Sequence, residues 1–371
     1  MCLVFKVIFK YPLFLGVFLH YFVSFSQQTV PQFGVEQTIH FGSILPHRPL
    51  VNAVVEGHSL IYEFSFYKNT LGKKQWQQAY NYPKIGISAM ILQLGNKEKL
   101  GNSYGVFPYI QFPISNKKIE WNIRFGYGLG YIEKPFDRET NFKNTVIGST
   151  YNVLINLNSL WRIKLNENIS TSAGISLVHF SNGSFTRPNL GINVFSLNAG
   201  LAYNFGLKKD LIQNEIPKRE KNWSKIVLVN VGIKEIPPVE GPKYMVYTTS
   251  FSFQKAFSNK SSYGFSADLF YNSSLEQLIS DEENKTTSNS DNARAGLSVF
   301  YSLDVGKVSY LIQMGGYLRT AYDGDGFIYH RITSRYYINK NLFFNLGLKT
   351  HWAVADFIEF GIGYKFNSPS K

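Results

Sequence analysis

His179 and Ser181 stand two residues apart, and Asn193 follows beyond a short polar segment. On a β-strand, residues two apart share a face, so an imidazole base and a hydroxyl nucleophile would project side by side. Their Cα atoms would be roughly 6 to 7 Å apart at a rise of about 3.3 Å per residue, a gap that an imidazole ring bridges. A serine becomes a competent nucleophile when a neighbouring base takes its proton and a third group holds the tautomer of that base. The side chains of Asn182 and Asn189, with the backbone amide of Gly183, are candidate donors to an oxyanion. The bland alternative is a pair of polar residues at a strand end.

The company these residues keep points to the substrate. Ala173, Ile175 and Leu177 precede them on the same parity, and Phe195, Leu197, Ala199 and Leu201 follow Asn193 on its parity. A hydrolytic pair on an apolar face has little use in a water-soluble enzyme. It suits one whose substrate is a membrane lipid.

The elements that must carry such a face read as strands. Aromatic residues make up 16% of the chain, with 31 Phe, 24 Tyr and 30 Gly. After the amino terminus no apolar run approaches the length of a membrane helix. Alternating segments of about ten residues, separated by turns and flanked by aromatic girdles, are the signature of a transmembrane antiparallel β-barrel. Closed barrels also satisfy every backbone hydrogen bond in lipid.

Alternation predicts strands near 36–45, 58–68, 83–94, 103–112, 119–132, 148–164, 169–181 and 194–206. A second series falls near 224–234, 243–256, 261–272, 293–303, 307–319, 326–337, 341–351 and 354–366. The fifth is clearest: Trp121, Ile123, Phe125, Tyr127, Leu129 and Tyr131 share one face, and Asn122, Arg124, Gly126, Gly128 and Gly130 the other. Glycines at every second position fit close packing inside a barrel better than a nucleotide-binding loop. With the first strand running outward, the connections 113–118, 166–168, 258–261, 305–307 and 339–341 are short and periplasmic. Those at 46–57, 133–147, 182–193 and 272–292 are long and external, and only 69–82 disagrees by being long on the inner side. His179 and Ser181 then sit at the outer-leaflet rim.

The expected architecture is one barrel of about 14 to 16 strands, because a single closure removes every sheet edge. The alternative is an eight-stranded barrel followed by a second eight-stranded unit, since the two halves end alike in 200–205 and 361–366. The expected organisation is a signal peptide over residues 1–26, a first barrel half over 27–207, a charged linker or periplasmic turn over 208–223, and a second half over 224–371.

Lys6 and Lys10 precede the short apolar run, and Ser24, Phe25 and Ser26 offer a signal-peptidase site. The only cysteine, Cys2, lies ahead of that run and would leave with it, so the mature chain would carry no disulfide. The formal net charge of +13 comes from residues scattered through turns rather than gathered in a stripe. That pattern disfavours nucleic acid and suits a phosphate-rich lipid surface. Asp323, Gly324, Asp325 and Gly326 lack the remaining ligands of a calcium loop and read as a turn. His40, His47 and His351 are too scattered to suggest a metal site, and no cofactor is indicated.

The run His179, Phe180, Ser181, Asn182, Gly183, followed by Pro188, Asn189, Leu190 and Gly191, resembles the active-site segment of the outer-membrane lipid A 3-O-deacylase family, also called acyloxyacyl hydrolases. The resemblance implies a Ser-His-Glu triad on the outside of an eight-stranded barrel, removing an ester-linked 3-hydroxyacyl chain from lipid A. By position, Ser181 would be the nucleophile, His179 the general base and Asn193 the orienting third member, where the family carries an acid. An Asn can orient imidazole through its carbonyl oxygen, as in Cys-His-Asn proteases, but cannot neutralise imidazolium. The expected function is thus an outer-membrane serine esterase acting on lipopolysaccharide, a reading that leaves room for a homodimer. The alternatives are a non-catalytic channel or scaffold with a vestigial site, and a phospholipase on the same frame.

Overall fold

The computed structural model describes residues 29–352 and 354–366. The segment read as a signal peptide lies outside them. Eight antiparallel strands come first: β1 Thr29–Ile44, β2 Ser59–Asn69, β3 Lys84–Gln93, β4 Asn102–Asn116, β5 Ile119–Ile132, β6 Tyr151–Lys164, β7 Ile169–Ser181 and β8 Ile192–Asp210. Eight more follow: β9 Trp223–Glu235, β10 Lys243–Ala256, β11 Ser261–Asn272, β12 Ala293–Val305, β13 Val308–Arg319, β14 Ile328–Tyr337, β15 Leu342–His351 and β16 Val354–Phe366.

Each set closes on itself. β8 returns to β1 with register from Ile44↔Val194 to Thr29↔Asp210, broken only between Pro31 and Phe33. Pro31 lacks the N–H that a ladder needs. β16 returns to β9 from Ile358↔Ile233 to Phe366↔Lys225. The single barrel of 14 to 16 strands is therefore corrected to the tandem alternative, with the predicted total of sixteen strands retained. Alternation fixes which face a side chain takes but not which strand its last neighbour pairs with, and both closures leave no sheet edge.

Closure at eight strands leaves an interior just wide enough for side chains to fill. In the first barrel Arg124 pairs with Glu63 at 2.6 Å, Arg162 with Glu36 at 2.8 Å, and His40 Nε2 lies 2.9 Å from Glu63. In the second, Arg331 meets Glu359 at 2.7 Å and Asp268 at 3.1 Å. Among the described residues, buried side chains of both barrels occupy their interiors. A Cβ added at Gly128 would fall 2.3 Å from the carbonyl oxygen of Val106, and one at Gly130 2.6 Å from the Phe180 ring. The glycine stripe thus serves inward packing. The outer faces are apolar, with Leu129, Leu197, Leu201, Val299 and Ile312 exposed, as lipid contact requires.

At the outer end of the first barrel Val51, Val54, Leu94, Leu100, Val146 and Ile147 pack onto Phe107, Leu154 and Phe180 as an apolar plug. The discordant inner connection, residues 70–83, folds a short helix, Gln75–Ala79, and receives the linker: Ile212 N donates to Leu71 O at 2.9 Å, and Tyr82 Oη to Ile212 O at 3.0 Å. Tyr80 Oη reaches Lys260 O, in an inner turn of the second barrel, at 2.8 Å. Its length is used to join the linker and the second barrel.

The barrels also touch along their walls. Phe125 packs edge-on against Tyr310 at 5.3 Å, and Tyr127 Oη lies 2.9 Å from Ser334 Oγ. Toward the outer end, Ser184 Oγ donates to Ala355 O at 2.8 Å and Glu235 N to Ser184 O at 2.8 Å.

Candidate active site

β7 presents Ala173 and Ile175 on the lipid-facing side and buries Ser170, Ser172, Ser176 and Val178. His179 continues the outward parity, half-buried, and Ser181 ends the strand with 7% of its surface exposed. The chain then turns through Gly183 and Ser184, both at positive φ, before β8 brings Asn193 back as the register partner of His179. Antiparallel pairing therefore joins two residues that the sequence separates by the loop.

His179 Nδ1 lies 2.7 Å from Asn193 Oδ1. With Asn193 Oδ1 as acceptor, Nδ1 carries the proton and Nε2 is left with a free lone pair. Asn193 Nδ2 lies 3.2 Å from Nδ1 of His47, whose Nε2 is 3.1 Å from Leu190 O. His47 Nδ1 also lies 3.1 Å from Leu45 O; in the tautomer protonated at Nε2, His47 donates to Leu190 O and accepts from Asn193 Nδ2, an arrangement in which the amide presents its oxygen to His179. His47 sits in the connection between β1 and β2. Its place was hidden in the sequence, where it stands far from the segment it supports and belongs to no motif.

Ser181 Oγ is held by other groups. Gly183 N donates to it at 3.2 Å, and the Asn189 carboxamide approaches at 3.1 Å through Nδ2 and 3.2 Å through Oδ1. Asn189 Oδ1 also accepts from Asn182 N at 3.1 Å, which turns Nδ2 toward the serine. Asn182 Nδ2 donates to Ser149 Oγ at 2.7 Å and Thr186 O at 2.8 Å. Its carboxamide braces the loop and is spent there, while its backbone N–H orients Asn189. Among the described residues no hydrogen bond joins His179 and Ser181. The six residues singled out from the sequence fall into two clusters: His179 with Asn193, which His47 joins, and Ser181 with Asn189, Gly183 and Asn182.

In the second barrel Asp325, His351 and Asp356 gather their ligand atoms within 4.8 Å. Arg294 pairs with Asp325 at 2.7 Å and Lys349 with Asp356 at 2.8 Å, while Lys234 also pairs with Asp356. These cations supply the positive charge that a metal would bring. Asp325, in the connection between β13 and β14, is thus held by Arg294 of β12.

Two closed barrels with apolar exteriors define a bacterial outer-membrane protein. Residues 61–202 match the family described as lipid A 3-O-deacylase (PagL), and residues 223–368 match the family described as acyloxyacyl hydrolase, C-terminal domain. The chain belongs to this family of outer-membrane lipid A hydrolases. A search of curated protein sequences found no match. Among solved structures it is similar to the outer membrane protein Omp33 of Acinetobacter baumannii, at 9% identity and a TM-score of 0.17 over 91% of this chain and 98% of that one. It is also similar to a triple mutant of the Rhodopseudomonas blastica porin, at 7% identity and a TM-score of 0.17 over 90% and 99%. Family membership, not these loose overlays, bears on function.

Proposed function

We propose that the protein is an outer-membrane serine esterase that removes an ester-linked 3-hydroxyacyl chain from lipid A, with Ser181 as nucleophile, His179 as general base and Asn193 as its orienting partner. The observation that carries this reading is the 2.7 Å contact of His179 Nδ1 with Asn193 Oδ1, two residues from Ser181 on a lipid-facing rim. A hydrophobic substrate held in the leaflet would meet the pair without leaving the membrane.

In this mechanism Ser181 rotates about its Cα–Cβ bond to give its proton to His179 Nε2 while Oγ attacks the ester carbonyl. The charge that develops on the carbonyl oxygen takes over the donors that Oγ vacates, Gly183 N–H and Asn189 Nδ2. The tetrahedral intermediate collapses, the ester C–O bond breaks, and the sugar alkoxide takes the proton from His179. Water then gives a proton to His179 and attacks the acyl-enzyme. The fatty acid leaves as Ser181 regains its hydrogen. The Asn193 oxygen keeps Nε2 aimed at the serine throughout, and no metal or cofactor enters any step.

Mass spectrometry of lipid A from cells carrying the protein or its Ser181→Ala variant tests the reading. The intact protein should yield lipid A lacking one 3-hydroxyacyl chain, and the variant should not, while both keep the heat-modifiable gel mobility of a closed barrel. Equal deacylation by the two would exclude Ser181.

A further inference from the structure

The two barrels do not meet along their whole length. Between the wall contacts of Phe125 with Tyr310 and Tyr127 with Ser334 and the outer loop of Gly183 and Ser184 lies a crevice of about 520 Å³. Leu129 and Val153 line it from the first barrel; Val231, Met245, Ile358 and Phe360 line it from the second. No charged side chain lines it.

Its position relative to Ser181 is fixed by strand register. Val153 on β6 is the direct cross-strand partner of Ser181 on β7, so the lining begins beside the nucleophile. Asn182, the next residue, also lines the crevice. Gly183 closes the outer end so tightly that a Cβ there would fall 2.3 Å from Ile358 Cγ1. Lys243 of the second barrel stands over the Phe185 ring at 3.7 Å from its centre. A slot bounded at both ends, uncharged and opening beside an ester-cleaving serine suits one occupant above others. A hydrocarbon chain attached to the ester enters at high effective concentration, an advantage that a free membrane lipid lacks.

We propose that this slot binds an acyl chain of the lipid whose ester lies at Ser181, so that the second barrel selects substrates by chain length. The proposal rests on Ser181 as the nucleophile. The chain comes from a bilayer as apolar as the slot, so its burial there gains little by itself; a chain too long for the slot meets packed side chains and is disfavoured by overpacking. Selection by length therefore needs only a bounded slot.

The test uses the full chain in liposomes containing lipid A species that carry 3-O-linked hydroxyacyl chains of graded length. Val231→Trp and Met245→Trp would shorten the slot from the second barrel without touching Ser181. Leu269→Trp, on the lipid face of β11, is the control for folding and insertion. Release of the longest chains should fall roughly 10-fold or more relative to the shortest in the two slot variants, with the control as wild type. In parallel, lipid A bearing a diazirine on its acyl chain should photocrosslink to the Met245 or Ile358 peptide in Ser181→Ala protein. An unchanged length profile, or no crosslink at either peptide, overturns the slot and leaves it to ordinary membrane lipid. Crosslinking without acyl release by the wild-type protein instead keeps the slot and overturns the esterase reading.

Discussion

Asn193 holds His179 across the β7–β8 ladder through a 2.7 Å contact between Oδ1 and Nδ1, and His47 holds Asn193 in turn at 3.2 Å. The third position of the proposed relay is thus a neutral amide that orients the imidazole but supplies no charge. This makes orientation and charge separable by experiment.

Asn193→Leu should lower the rate of deacylation by leaving the imidazole free to turn. Asn193→Glu should keep or raise it by adding a counter-charge for imidazolium; the gain could approach about 10⁴-fold, the loss seen when a triad carboxylate is neutralised. His47→Leu should reduce the rate of the wild-type protein, since it frees the Asn193 amide to flip, yet leave Asn193→Glu almost unaffected because a carboxylate has no wrong orientation. Steady-state rates on lipid A in detergent compare the four proteins. Equal rates in all would remove Asn193 and His47 from the mechanism.

Asn189→Ala removes a donor now engaged with Ser181 Oγ at 3.1 Å. Loss of one oxyanion donor costs about 10² to 10³ in kcat, and the expected change is in kcat with KM nearly constant. Asn182→Ala should act differently. Its carboxamide bonds Ser149 and Thr186, so its loss should loosen the 182–191 loop, raise protease cleavage there and alter KM as well. A pure KM effect from Asn189→Ala would exclude it as an oxyanion donor.

Inside the first barrel Arg124 is paired with Glu63 and almost wholly buried. Arg124→Leu leaves the Glu63 carboxylate without its guanidinium partner and should destabilise the protein by about 3 to 5 kcal/mol. The double variant Arg124→Leu with Glu63→Leu should recover much of that loss, because both costly charges leave together. Urea unfolding in lipid vesicles, followed by gel mobility, gives the comparison. A double variant as unstable as the single one would show that packing around these side chains, not their charge, sets the stability.

The strands were legible because lipid outside and a packed polar interior impose alternation along most of their length. Trp121 to Tyr131 shows it in the sequence, and β5 spans Ile119–Ile132 as read. Strand parity likewise puts His179 and Ser181 on the side of β7 that carries Ala173 and Ile175, and Asn193 on the side of β8 that carries Phe195. Closure was not legible. The pairing of β8 with β1 and of β16 with β9 is a contact between distant segments whose alternation would look the same in one large barrel. Tertiary structure alone also brought His47 to Asn193, held Ser181 on Asn189 and Gly183 instead of His179, and set Met245 and Ile358 across a crevice from Val153. Local sequence pattern encodes which side of a strand meets lipid, because that depends on each residue and its nearest neighbours. Which strands and loops meet one another depends on closure of the whole ladder, and so is decided only when the chain is folded.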